Sequence, residues 1–322
     1  SGLGVAEWQL RKAGHVPSRM LDLDFWANHR FKLDDLPENQ TVLLGASRMS
    51  FGLDHDQWEE VTGQRPFNLS LHGASFLPML TEYAQNDEFK GKVICSYAAG
   101  FAFANEMIPF SQRLLKQINQ LEDDRNSFAF RASEWTGSTF QGNFAILNQY
   151  RFSPISLCLD VGHSEQRENM YPPFWITRSF NRTADNSDWF IDAMIDQPRC
   201  VEQWNILHKS VIRYMDRFPP RDFNKLLVQL KKDVKRINER GGEVILVRLP
   251  VAIWFRDWEE KNFPRDEYWD VMLKETGCRG FHFLDYDETK SIVPPDASHM
   301  KVFQAKHFTN ELAKFVLQEN AE

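Results

Sequence analysis

Three short apolar runs separated by stretches of helical spacing restrict this chain most. Thr41 to Leu44, Pro66 to Leu71 and Lys92 to Tyr97 read as strands. Between them, Asp54 stands as an N-cap before a helix from His55 to Thr62 that Gly63 ends, and a second helix runs from Phe76 to about Asn86. Strand and helix in this alternation build a parallel sheet with covered faces. The pattern resumes late, with strands at Gly242 to Pro250 and Gly280 to Leu284, a helix at Arg265 to Thr276, and a closing helix at Val302 to Gln318. The expected fold is α/β, a three-layer α/β/α sandwich of about five parallel strands.

The outer segments frame that core. Residues 1–40 read as an N-terminal lead-in and 41–322 as one domain, with 101–241 an insertion or cap. Amphipathic helices are expected there at Ser111 to Leu121, Glu202 to Phe218 and Arg221 to Arg240, around an irregular section from Glu134 to Asn186. So long a structureless loop is uncommon in a compact domain, so this section is either a functional cap or holds short elements of its own, and it is taken as an insertion over the functional edge of the sheet.

The formal net charge of −7 disfavours a nucleic-acid partner. The densest basic run, Lys231 to Arg236, is interleaved with acidic and apolar residues and reads as a solvated helix face. The longest weakly polar run, Val93 to Ala104, is too short to span a bilayer. The chain opens Ser-Gly-Leu-Gly, which is compatible with a membrane tether upstream and an exported, periplasmic location. Cys95, Cys158, Cys200 and Cys278 form no Cys-x-x-Cys pair, so no metal is expected, and a Cys158–Cys200 disulfide is conceivable only if the protein is exported. His282 and His307 have apolar neighbours and read as structural. No cofactor motif is present.

The chemistry concentrates at two places. Gly45-Ala46-Ser47-Arg48 follows the first strand, where Gly45 permits a sharp exit and leaves Ser47 at the edge on which open α/β sheets bind ligands. The stretch matches neither the phosphate loop nor a Gly-x-Ser-x-Gly elbow, since it lacks a Lys-Ser/Thr ending and carries Met49 where the second glycine belongs. Near the other terminus, Asp296 and His299 are 299 − 296 = 3 residues apart, a spacing at which the carboxylate reaches one ring nitrogen while the other faces a serine.

Gly45-Ala-Ser47-Arg48, Gly73 after the second strand and Asp296-x-x-His299 before the last helix resemble the first, second and fifth blocks of the SGNH, or GDSL-like, hydrolase superfamily. The resemblance covers roughly residues 40–100 and 240–320. It implies Ser47 as nucleophile, His299 as general base, Asp296 as its orienting acid, and the N–H groups of Ser47 and Gly73 as an oxyanion hole. The first block, with Ala46 for Asp and Arg48 for Leu, is similar to the branch that acylates and deacylates bacterial cell-surface polysaccharides. That implies a serine esterase or O-acyltransferase acting on an acylated carbohydrate. Two alternatives stand beside it: a silent binding module in an envelope pathway, and an esterase of lipids or small esters. The third-block asparagine is not recognisable, and Asn105, Asn68 and His72 are the candidates to replace it. Arg48, His72 and Asn68 are the further candidate substrate contacts, although an arginine after such a turn is more often tied to nearby carbonyls or to a carboxylate. Trp135, Phe140, Trp175, Trp189 and Phe190 are candidates for stacking on sugar rings, or for a small core within the insertion.

Overall fold

The computed structural model describes residues 2–19, 23–104, 109–148, 176 and 179–318. Five parallel strands form the central sheet: β1 Val42–Leu44, β2 Phe67–Asn68, β3 Lys92–Ser96 and, after a hairpin of β4 Phe180–Arg182 and β5 Asp188–Phe190, β6 Glu243–Arg248 and β7 Arg279–His282. They lie in the order β2-β1-β3-β6-β7, all pairs parallel. Chain order reverses between β1 and β3, and that reversal marks the crevice where doubly wound sheets take ligands.

The central residues of the longer strands are apolar in succession because alternate residues enter two different cores. Val42, Leu44, Val93, Cys95, Val244 and Leu246 face a cluster completed by the helices Leu23–Leu33, Phe76–Tyr83, Phe223–Glu239 and Trp269–Thr276. Leu43, Ile94, Ile245, Val247 and Phe281 face the other, closed by Trp58 of the helix His55–Thr62 and by Phe308, Leu312 and Val316 of the helix Val302–Leu317. The protein is therefore α/β, a five-stranded parallel sheet with helices on both faces.

Local signals hold where they were strongest. Asp54 caps its helix by accepting from Gln57 N at 2.8 Å, and Gly63 closes it in the left-handed region at φ 76. Four differences have physical causes. A short helix, Ser47–Gly52, starts at the serine itself, and another, Ile253–Asn262, follows the fourth sheet strand; the sequence reading placed no element at either. The helix Leu23–Leu33 is part of the larger core and not an outer lead-in, since Phe25, Trp26 and Ala27 are buried and Trp26 Nε1 donates to Leu69 O at 2.8 Å. The section from Glu134 is not wholly irregular: Phe128–Thr136 is helical, Gly137–Gln141 forms a π turn, and the β4–β5 hairpin stands at its far end. Finally, Leu226, Leu230, Val234 and Ile237 of Phe223–Glu239 lie in the sandwich core, so the segment over the edge ends before the boundary at 241. Among the described residues no helix is long and apolar enough to cross a membrane.

Gly45 is the hinge between β1 and the serine. Its φ is +156, and an added Cβ would stand 2.6 Å from Ser96 Cβ on the neighbouring strand. Gly45→Ala is expected to destabilise the fold by about 2–3 kcal/mol through strain and overpacking, read as a lower midpoint in urea unfolding at unchanged m-value.

Candidate active site

Ser47 is the first residue of its helix, His299 sits in the loop after the last strand, and the fold brings them together across the C-terminal edge of β1. Ser47 Oγ lies 2.7 Å from His299 Nε2, and His299 Nδ1 lies 2.6 Å from Asp296 Oδ2. An ionised carboxylate only accepts, so Nδ1 carries the proton toward Asp296 and Nε2 accepts from the serine hydroxyl. The three side chains form one continuous relay.

The loop that carries the acid and the base is shaped by two devices. Ala297 adopts φ 79, a left-handed conformation that costs a non-glycine residue about 1–2 kcal/mol. This reversal lets Asp296 Oδ1 accept from the backbone of Ser298 at 2.9 Å and of His299 at 2.6 Å. Arg48 then pins the loop, donating from Nε to Ser298 Oγ at 3.0 Å.

A further histidine enters from the insertion. His208, on the helix Pro198–Met215, donates from Nε2 to Asp296 Oδ2 at 3.2 Å and stacks on Trp204. Asp296 is fully buried, and burial alone would raise its pKa. The charge of His299 and the hydrogen bonds of both histidines outweigh that and hold the carboxyl well below its ordinary value. Burial pulls His208 below its own ordinary value, against the opposing pull of Asp296. His208, Asp296 and His299 offer ligand atoms within 4.8 Å of one another. The 2.6 Å between Oδ2 and Nδ1 is a hydrogen bond and leaves no room for an ion, whose two ligands would stand about 3.3 Å apart.

The relay opens into a cleft of about 670 Å³ that Ser47, His299, His72 and Gly73 line together. His72 Nε2 lies 2.8 Å from Asp188 Oδ2, which also accepts from Arg182 Nη2 at 2.6 Å; Arg182 and Asp188 are paired residues of the β4–β5 hairpin and fully buried. Ser50 ties this second network to the first, donating to Ser47 O at 3.0 Å and standing 3.3 Å from His72 Nε2.

Ser47, Gly73, His72, Asp296 and His299 thus converge. Two other candidates for substrate contact do not. Arg48 is buried, donates to Glu259 Oε1 at 3.0 Å and stacks on Phe255, so its guanidinium is a structural tie. Asn68 is buried under the hairpin, donating to Asn186 O at 3.0 Å and accepting from Ser70 N at 2.9 Å. Neither lines the cleft. Asn105, Trp175 and Cys158 lie outside the described residues. Cys95, Cys200 and Cys278 are buried free thiols. Phe190 packs with Phe51, Phe180 and Trp204 in a small core, while Trp135 and Phe140 are exposed away from the cleft. His282 accepts from Leu284 N and His307 pairs with Glu288 O, both structural.

Comparison with known proteins returns no matching family and no matching curated sequence.

Because the folded-state pKa of Asp296 is depressed, its stabilising contribution is complete above the ordinary carboxylate value of 3.8 and is lost as pH falls below it. Asp296→Asn is therefore expected to flatten the acid limb of stability against pH, measured by urea unfolding from neutral pH downward. An unchanged limb would show that the charge is not held as described.

Proposed function

We propose that this protein is a serine-dependent acyl-transfer enzyme of the SGNH type: an esterase where water is the acceptor and an O-acyltransferase where a sugar hydroxyl is. The observation that carries the reading is the relay of Ser47, His299 and the buried Asp296 opening into a cleft that Gly73 also borders. Two features of the fold support it. With the hairpin set aside, the strand order is 2-1-3-4-5, a flavodoxin-like order, and the nucleophile follows the first strand at the switch point.

In the proposed reaction Ser47 Oγ attacks the carbonyl carbon of an ester while its proton passes to His299 Nε2. Asp296 stabilises the imidazolium and keeps its orientation. The carbonyl oxygen becomes an oxyanion facing the backbone N–H groups of Ser47 and Gly73. Collapse of the intermediate breaks the ester C–O bond, and the leaving alcohol takes the proton from His299. Water or a sugar hydroxyl then gives a proton to the same nitrogen as its oxygen attacks the acyl-serine. Release of Ser47 Oγ takes that proton back and restores the resting relay.

A single fluorophosphonate adduct, seen by intact mass on the native protein and missing from Ser47→Ala, is the expected outcome. A folded native protein that takes no adduct would favour the silent binding module. His299→Ala is expected to lower kcat for a p-nitrophenyl ester by at least about 10³-fold while leaving the circular dichroism spectrum unchanged.

A further inference from the structure

The chemistry of the cleft wall speaks to the acyl group. One long side is a stripe of the helix Pro198–Met215, in which Trp204, Leu207, Val211, Ile212 and Met215 repeat at helical spacing beside His208. Leu71, Phe101, Phe180, Phe255 and Trp258 add to the apolar lining, with Phe180 packed against Trp204 and Trp258 against Met215. Gly100 also lines the cleft, and an added Cβ there would come within 3.0 Å of the Trp258 ring and 3.2 Å of Met215 Sδ. The absent side chain is what lets these two apolar groups meet at the cleft.

Two charged residues, Asp24 and the exposed Arg113, stand among the lining, and the remaining polar groups are largely engaged with other side chains. Glu259 is held between Arg48 and Arg248, and Ser298 accepts from Arg48. His208 is spent on Asp296 and His72 on Asp188. A sugar ring would need several hydrogen-bonding partners and would meet aliphatic and aromatic surface along most of this length. The volume falls within the about 300–1,000 Å³ of ordinary small-molecule sites, far more than an acetyl group fills.

We infer that the cleft binds the acyl part of the substrate and that this part is an apolar chain well longer than acetyl, laid along the helix Pro198–Met215. The inference rests on Ser47 acting as the acyl-accepting nucleophile. The acceptor or alcohol portion then approaches from outside the cleft, so a long acyl chain is compatible with either water or a sugar hydroxyl as second partner. Each methylene that leaves water for the wall is worth about 0.8 kcal/mol, or about fourfold in kcat/KM.

The experiment is a series of p-nitrophenyl acetate, butyrate, hexanoate and octanoate with the native protein and Ser47→Ala, each ester kept below its aggregation concentration. Hexanoate is expected to exceed acetate in kcat/KM by on the order of 10²-fold. Leu207→Asp, at a half-exposed position of the stripe, is expected to lower that ratio about tenfold, and Val211→Asp, one turn further along, to do the same. Circular dichroism confirms that each variant is folded. Ser47-dependent turnover that is flat or falls with chain length overturns the inference while leaving the acyl-transfer reading intact, as does a ratio that neither variant moves. No Ser47-dependent turnover at any length overturns both.

Discussion

A fully buried carboxylate is the constraint on which the site depends. Removing Asp296 from water without partners would be prohibitive, and its two oxygens instead accept from two backbone N–H groups and two imidazoles. Those donors come from two places far apart in the chain: the loop before the last helix, and the helix Pro198–Met215. Compensating one charge therefore docks the insertion onto the sandwich and fixes the ring of His299 against Ser47. Stability and the geometry of the relay are the same set of bonds.

The hairpin of β4 and β5 is anchored by a parallel logic. Asn186 holds φ 65, and its side chain donates to Asn68 O and Ser70 O just past the end of β2, while Asn68 donates back to Asn186 O. These side-chain-to-backbone bonds fasten the hairpin to the sheet edge without adding a strand to it. It sets Arg182 and Asp188 beside His72, and Ser50 joins that network to the first turn of the helix that Ser47 opens. Two acid–imidazole pairs thus border one cleft. The pair at Asp296 faces Ser47, and the pair at Asp188 secures the wall beside Gly73.

The sheet was legible because its longer strands hold short apolar runs and follow capped helices, signals that act over a few positions. Ser47 was legible for the same reason, since Gly45 has to turn the chain at the strand's end. Asp296 and His299 were legible because their bond spans three residues of one loop. His208 and Asp188 were not, because their partners lie 88 and 116 residues away and no local spacing joins them. Arg48 illustrates a different difficulty: a cation in this turn reads either as a substrate contact or as a tie to a carboxylate, and its burial with Glu259 and Arg248, which decides for the tie, is visible only when three separated elements meet.

The apolar wall and the polar relay are coupled through one helix. The helix Pro198–Met215 lines the cleft with Trp204, Leu207, Val211, Ile212 and Met215 and also carries His208, which donates to Asp296, so under the proposed reading an acyl chain laid along the stripe would displace water from the surface beside that carboxylate. Excluding water there lowers the local dielectric, and the attraction between Asp296 and the imidazolium formed on His299 strengthens accordingly. Binding energy from a remote apolar chain would then be expressed at the reacting centre, in kcat as well as in KM. Under the proposed reading, the helix that would recognise the acyl group is also the helix that completes the hydrogen bonding of Asp296.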